Sequence, residues 1–193
     1  TLGMLVDNMC GDFFGPMLSG IESVSSENGF DLLVSSSHSH DTRKRLSIGP
    51  PNTDGLLVFA NSLDDESLSL SHNPCFELLL IYQSSPKGME IPCVVVENKN
   101  SSRQIVEHLI DVHGRRRIVF LNGPQNNEDS HWREVGYRKA LEAHQIPYDP
   151  DLTALGEYDR NIAKASIRDL LKRDVDFDLI GSDSLPSTDP NLA

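Results

Sequence analysis

The chain has little of what usually names a reaction. Only three cysteines occur in 193 residues, Cys10, Cys75 and Cys93. Their number is odd and no CxxC pair exists, so no disulfide framework is implied and reduced thiols in a cytoplasmic protein are expected. Long apolar runs are missing too. Stretches such as Leu78–Tyr82 have strand length and fall far short of a bilayer span, so no membrane partner is expected. Basic residues are scarce: 17 Lys+Arg against 29 Asp+Glu leave a net charge of -12 and a pI near 4.9. That balance opposes a direct grip on nucleic acid, which needs a concentrated basic surface. No GxSxG elbow, Walker-type glycine loop or HExxH pair is present. The opening residues TLGMLVDN lack a basic flank before an apolar signal core and read directly as a strand. No internal repeat or low-complexity linker is evident.

What is present is an alternation of two periodicities. Hydrophobic residues make up 38% and charged residues 24%, ordinary for a globular chain able to bury a core as one domain or two small ones. Strand candidates are Leu2–Val6, Asp31–Ser35, Gly55–Ala60, Glu77–Tyr82, Cys93–Glu97, Arg117–Leu121 and Phe177–Ile180. Several lack polar alternation, as expected when helices cover both faces of a parallel sheet. Between them Phe14, Met17, Leu18 and Ile21 follow helical spacing and close at Asn28-Gly29. A second helix is expected from Asn100 or Ser101 to His113-Gly114, with Val106, Leu109 and Ile110 on one face. A third runs through Trp132–His144, and a fourth carries Ala163, Ile167, Leu170 and Leu171. Asp149-Pro150 falls in the connection between these last two. Residues Ser35–Asp54 leave room for one short helix at most, and Asn61–Asn73 for one weak one. The reading is an α/β fold with parallel sheets.

In an open parallel sheet, ligands bind beyond the carboxyl ends of the strands. Those ends carry Asp7-Asn8, Ser35–Ser37, Ala60-Asn61, Gln83, Glu97-Asn98, Asn122 and Ser182-Asp183. Amides, hydroxyls and carboxylates of this kind suit a small, hydroxyl-rich molecule, and equally serve as helix caps and turns. A metal at His38-x-His40-Asp41 is weighed against an exposed loop and set aside for want of a third ligand pattern. Cys10 and Ser182 follow strands, yet no catalytic motif surrounds them, so no enzyme and no cofactor are expected. The basic cluster Arg115–Arg117 reads as a solvated turn before a strand.

Five motifs in order carry a resemblance. LGMLVDNMCGDFFGPMLSGIESVSSENGF holds a phenylalanine pair, Gly20-Ile21-Glu22 and Asn28-Gly29-Phe30. Thr53-Asp54-Gly55-Leu56-Leu57 and IPCVVVENKN follow, then EHLI with HGRRRIVFLNGP, then Arg133-x-x-Gly136-Tyr137-x-x-Ala140-Leu141. In this order they resemble the effector-binding domain of LacI/GalR-type transcription regulators, which shares its fold with periplasmic sugar-binding proteins. The resemblance implies two Rossmann-like subdomains with parallel sheets flanked by helices, at residues 1–98 and 99–193, the second incomplete. It leaves open whether the chain is truncated or skips residues near 180–184, because family members continue well beyond this length. It also implies a small polar ligand, a sugar or nucleobase-like molecule, contacted by Asn8, Phe13, Phe14, Ser36, Asn61, Gln83, Glu97, Asn122, Trp132, Arg133 and Asp183. Arg133 matches the family arginine that reaches the effector, and a guanidinium fork suits a carboxylate or adjacent hydroxyls. One of Phe13 and Phe14 is expected in the core and the other over the ligand. Trp132 and Tyr158 are further aromatic candidates. Asp183 matches a strand-end aspartate in either of two alignments of the tail. The function implied is effector sensing by lobe closure with a hinge near Glu97–Asn100, in a homodimer that reaches DNA only through a separate helix-turn-helix module. The shortness of Ser35–Asp54 and the VHGRRR stretch also suit the alternative of a sensory input domain for a diguanylate cyclase or histidine kinase.

Overall fold

The computed structural model describes residues 1–7, 13–36, 47–71, 73 and 75–182. The chain divides into two compact units, Thr1–Val95 and Val96–Ala193, each built on its own parallel sheet. In the first unit β1 (Leu2–Val6), β2 (Leu32–Ser36), β3 (Gly55–Phe59), β4 (Glu77–Ile81) and β5 (Cys93–Val94) lie in the order β2-β1-β3-β4-β5. Every pairing is parallel. The period of two along β1 sorts its side chains to opposite faces. Met4, Val6 and Ile81 pack with Phe14, Met17, Leu18 and Ile21 of helix α1 (Phe14–Glu27). Leu5, Leu56, Val58, Leu78 and Leu80 form a second core with Ile48, Ile91 and Leu68 of the short helix α2 (Asp65–Ser71). Gly29 ends α1 with φ of 76°, the left-handed conformation a side chain would resist.

The second unit repeats the logic with three strands, β6 (Ile118–Asn122), β7 (Thr153–Leu155) and β8 (Leu179–Ser182), ordered β7-β6-β8 and parallel. Ile118 and Phe120 of β6 face Val106 and Ile110 of α3 (Asn98–Asp111) and Tyr137, Ala140 and Leu141 of α4 (Glu128–Ala143). Val119 faces the other way, onto Leu152 and Leu170 of α5 (Arg160–Lys172). The continuous apolar run of β6 is thus explained by helices on both faces. Tyr137 stacks on Phe120 at 4.8 Å and its hydroxyl donates to the Ile118 carbonyl at 2.9 Å. Burial pushes its phenol up to about 12. Helices α3 and α4 approach closely at Gly136, where an added Cβ would lie 2.3 Å from the Lys99 carbonyl oxygen. At the strand entrances, one Asp178 carboxylate oxygen accepts the backbone N–H groups of Arg116 and Arg117 at 2.8 and 2.9 Å, clipping β8 to β6. Those two donors hold the Asp178 carboxyl below the usual aspartate value.

Several elements differ from the sequence expectation. Helix α3 starts at Asn98 rather than at Asn100 or Ser101, because Glu97 caps it by accepting from the N–H groups of Asn100 and Ser101. Glu97–Asn100, near which a hinge is expected, forms this cap and first turn, and the two units divide between Val95 and Val96. Helix α4 starts at Glu128, capped by Asn127. Strand β5 stops at Val94, and β7 is a strand the pattern does not announce. Pro150 opens a 3₁₀ turn, Pro150–Leu152, capped by the Asp149 side chain, which accepts from the Asp151 N–H at 3.0 Å. Leu171 is 61% exposed, so the buried stripe of α5 runs through Leu170 alone of that pair.

Candidate functional site

In both sheets the chain leaves the first strand in one direction and returns to its other side, which puts a switch point beside β1 and β6. In the second unit β6 ends there on Asn122. Its carbonyl accepts the N–H groups of Gly156 at 2.7 Å and Glu157 at 3.1 Å, holding the loop after β7 against the strand end. Glu157 and Tyr158 both adopt left-handed φ, 52° and 55°. Each costs about 1 kcal/mol or more, so the surrounding bonds must enforce the turn. Its product is a tyrosine whose hydroxyl donates to Asn127 Oδ1 at 3.2 Å. Asn122 Oδ1 is buried and is the one such side-chain oxygen or nitrogen, among the described residues, without a hydrogen-bond partner. An unpaired buried acceptor costs roughly 1–3 kcal/mol, a penalty that a ligand donor would relieve.

Helix α4 points its first turn at the same strand end. Asn127 accepts from the Ser130 N–H at 3.0 Å, and Glu128 and Asp129 place negative charge where the helix dipole is positive. Asp129 is buried, and so is Asn98 at the start of α3. The Asn98 amide donates to Asp129 Oδ1 at 2.7 Å and to the Val96 carbonyl at 3.1 Å, while its oxygen accepts from Arg133 Nε at 2.6 Å. Arg133 is half-buried, and its own carbonyl accepts from Ser102 Oγ at 2.8 Å across the helix pair. Trp132, on the exposed side, donates its indole N–H to Glu128 at 3.2 Å and lies 5.4 Å from the Lys99 ammonium. Lys139, by hydrogen bonding and repulsion, holds that ammonium below the usual lysine value.

In the first unit an aromatic quartet gathers near the strand ends. Phe13 lies 5.7 Å from Phe14, 6.1 Å from Phe59 and 5.3 Å from Tyr82. Phe14 and Phe59 meet at 5.1 Å, Phe59 and Tyr82 at 5.6 Å. The question left open by the sequence has a clear answer here: Phe14 packs on the core, and Phe13 stays 41% exposed. Asn61 and Tyr82 take φ of 63° and 60°, and the Asn61 N–H donates to Gln83 Oε1 at 3.2 Å, linking two of the expected residues. Ser36 ends β2, half-buried. The exposed Phe13 ring packs on Tyr82, the residue before Gln83, so an apolar face and an amide come from one strand end, chemistry that suits a small polar molecule.

Of the expected residues, Asn61 and Gln83 are bonded to each other in the first unit, and Phe13 packs with Phe14, Phe59 and Tyr82. In the second unit Asn122 ends β6, while Trp132 and Arg133 lie on α4, bonded to Glu128 and Asn98. Glu97 is exposed and engaged as a helix cap. Asn8 and Asp183 lie outside the described residues, as do Cys10, His38, His40 and Asp41. Among the described residues no group of three or more His, Cys, Asp or Glu could hold a metal ion. Sequence reading names Asn98 only as one of the strand-end amides and does not single out Asp129, Asn127, Phe59 or Tyr82. Asn127 alone gives a legible signal, as an Asn two residues before a buried Asp and three before a Ser at a helix start.

Residues 1–184 match the family described as periplasmic binding proteins and the sugar binding domain of the LacI family. The chain belongs to this family. It is 28% identical over 176 residues to the HTH-type transcriptional regulator CelR of Thermobifida fusca, covering 87% of this chain and 50% of that protein. It is 27% identical over 180 residues to the HTH-type transcriptional regulator GalR of Salmonella typhimurium LT2, covering 92% and 52%. The chain therefore spans about half the length of the curated relatives it matches. Among solved structures, the transcription regulator CcpA of Lactococcus lactis matches with a TM-score of 0.72 and 25% identity over 89% of this chain and 64% of its own. A CelR–cellobiose complex matches with a TM-score of 0.75 at 23% identity, over 94% of this chain and 57% of its own, a likeness of fold.

Proposed function

We propose that this chain is the effector-binding part of a LacI/GalR-type transcription regulator, and that it senses a small polar ligand, most simply a sugar. The single observation that carries the reading is the strand end of the second unit, where the Asn122 side-chain oxygen is buried at a switch point without a hydrogen-bond partner and could accept from a ligand donor. The family match supports the same chemistry. Ligand contacts would come from Phe13, Phe14, Ser36, Asn61 and Gln83 in the first unit and Glu97, Asn122, Trp132 and Arg133 in the second. Asn8 and Asp183 complete the proposed set. The two units act as lobes: a ligand touching both favours the closed arrangement by its differential affinity, and closure changes DNA binding by a separate helix-turn-helix module. The working form is a cytoplasmic homodimer, and the reaction class is binding without turnover. Among the described residues no helix is long and apolar enough to cross a membrane.

Thermal-shift screening of the chain with D-glucose, D-galactose, cellobiose, adenine and the amino acids tests the reading. One compound should raise Tm in a saturable way and be recovered unchanged, as judged by proton NMR of the mixture. Consumption of the compound would replace sensing with catalysis, and a flat response across sugars and purines would remove the proposed ligand class.

A further inference from the structure

Asn98 is a buried and well-engaged polar side chain at the start of α3. It is 5% exposed and makes three hydrogen bonds, to Asp129, Val96 and Arg133. The amide is oriented by chemistry alone. Its NH₂ faces two acceptors, a carboxylate and a carbonyl, so its oxygen must face the arginine Nε–H. The two donor bonds fix the amide from the acidic first turn of α4 and from the backbone just before α3. What remains is a single acceptor, buried, charge-assisted and 2.6 Å from Nε.

A guanidinium held at Nε keeps its terminal nitrogens in one plane while a free arginine samples many rotamers. The close approach of the helices at Gly136 and the Ser102–Arg133 backbone bond hold the two ends of this clamp at fixed separation. We propose that Asn98 is a positioning residue for Arg133, fixing its guanidinium in one rotamer for ligand contact. This rests on the reading of Arg133 as a ligand residue. Asn98 itself need not touch the ligand. Its effect on affinity is the ordering it removes from the cost of binding, roughly threefold to tenfold for one long side chain.

The test separates the clamp from the ligand reading. Arginine Nε–Hε NMR signals of the whole chain are recorded, with the Arg133 signal assigned by its loss in R133K. In the unmutated chain the Arg133 Hε should exchange with water more slowly than that of Arg138, an exposed arginine that bonds Glu134 at 2.9 Å; equal exchange would overturn the proposal without any variant. N98A should shift the Arg133 signal and speed exchange of its Hε. An unchanged signal and unchanged exchange in N98A contradict the clamp. Affinity is then measured with whichever of D-glucose, D-galactose, cellobiose or adenine stabilises the chain. N98A should weaken it threefold to tenfold, and N98A/R133A no further than R133A; full additivity would count against positioning. If R133A leaves affinity intact, the ligand reading fails while the Hε data still judge the clamp.

Discussion

Replacing Gly136 by alanine gives the sharpest test of how α3 and α4 present Asn98 and Arg133. The new Cβ would stand 2.3 Å from the Lys99 carbonyl oxygen, 2.9 Å from Ser102 Cβ and 3.0 Å from the Arg103 nitrogen. Two of those atoms are backbone, so relief requires moving a helix by about 1 Å to reach ordinary contact distance. Overpacking of this kind costs about 1–3 kcal/mol, and backbone obstruction puts the value at the upper end. Alanine returns about 1 kcal/mol through its helix propensity. The net expectation is a loss of about 2 kcal/mol, a fall in Tm of roughly 10 °C for a unit of this size. Urea titration followed by fluorescence reads it directly, since the only tryptophan, Trp132, lies on α4. Gly20 on α1 is the control: a Cβ there meets nothing within 4 Å, so G20A should gain about 0.5–1 kcal/mol. If G136A also gained stability, the close helix approach, and with it the geometry of the clamp, would be refuted.

Three further outcomes follow from the same contacts. F14A should cost about 2–4 kcal/mol because the ring packs on the first core, whereas F13A, at an exposed ring, should cost less than about 1 kcal/mol in the same urea assay. His144 is raised above its ordinary value by its bond to the Ala140 carbonyl and by Asp111, against the opposing pull of burial, so its stabilising contribution is full below the unfolded value near 6.5 and is lost as pH rises through the folded one. Tm measured at pH 6 and pH 8 should therefore fall more in the unmutated chain than in H144A. Asp178 has the opposite sign: its lowered carboxyl stabilises above the unfolded value of 3.8 and stops doing so as pH falls through the folded one, so D178N should flatten the acid limb of the urea midpoint against pH.

Much of the fold is legible because periodicity and burial agree. The run at β6 and the spacing of Phe14, Met17, Leu18 and Ile21 announce their elements, and both lie where packing demands. The exceptions have physical reasons. Strand β7 is three residues long beside a single partner, too short to show a period. Helix α3 starts early because a glutamate does the work of a cap usually given to Ser, Thr, Asp or Asn. Leu171 has the right spacing for the α5 stripe, but Leu170 is the one that packs with Val119, Leu152, Ala154 and Ile180, and Leu171 stays on the exposed side.

The site is legible to a different degree. Strand-end position and the family motifs point to Asn61, Gln83, Asn122 and Arg133 as residue types in a suitable place. They carry no information on what each is bonded to. Asn98 reads as a strand-end amide, and its role depends on Asp129 and Arg133, more than thirty residues away. Left-handed φ at Asn61, Tyr82, Glu157 and Tyr158 is equally silent in sequence, since none is glycine and only tertiary bonds enforce it.

The central claim is that this chain binds a small polar ligand through Arg133. Isothermal titration of the compound selected by thermal shift, into the unmutated chain and into R133A, tests it most directly. The account predicts one saturable site whose affinity falls at least tenfold in R133A, with the fold of the variant intact by circular dichroism. Equal affinity in the two proteins would contradict it.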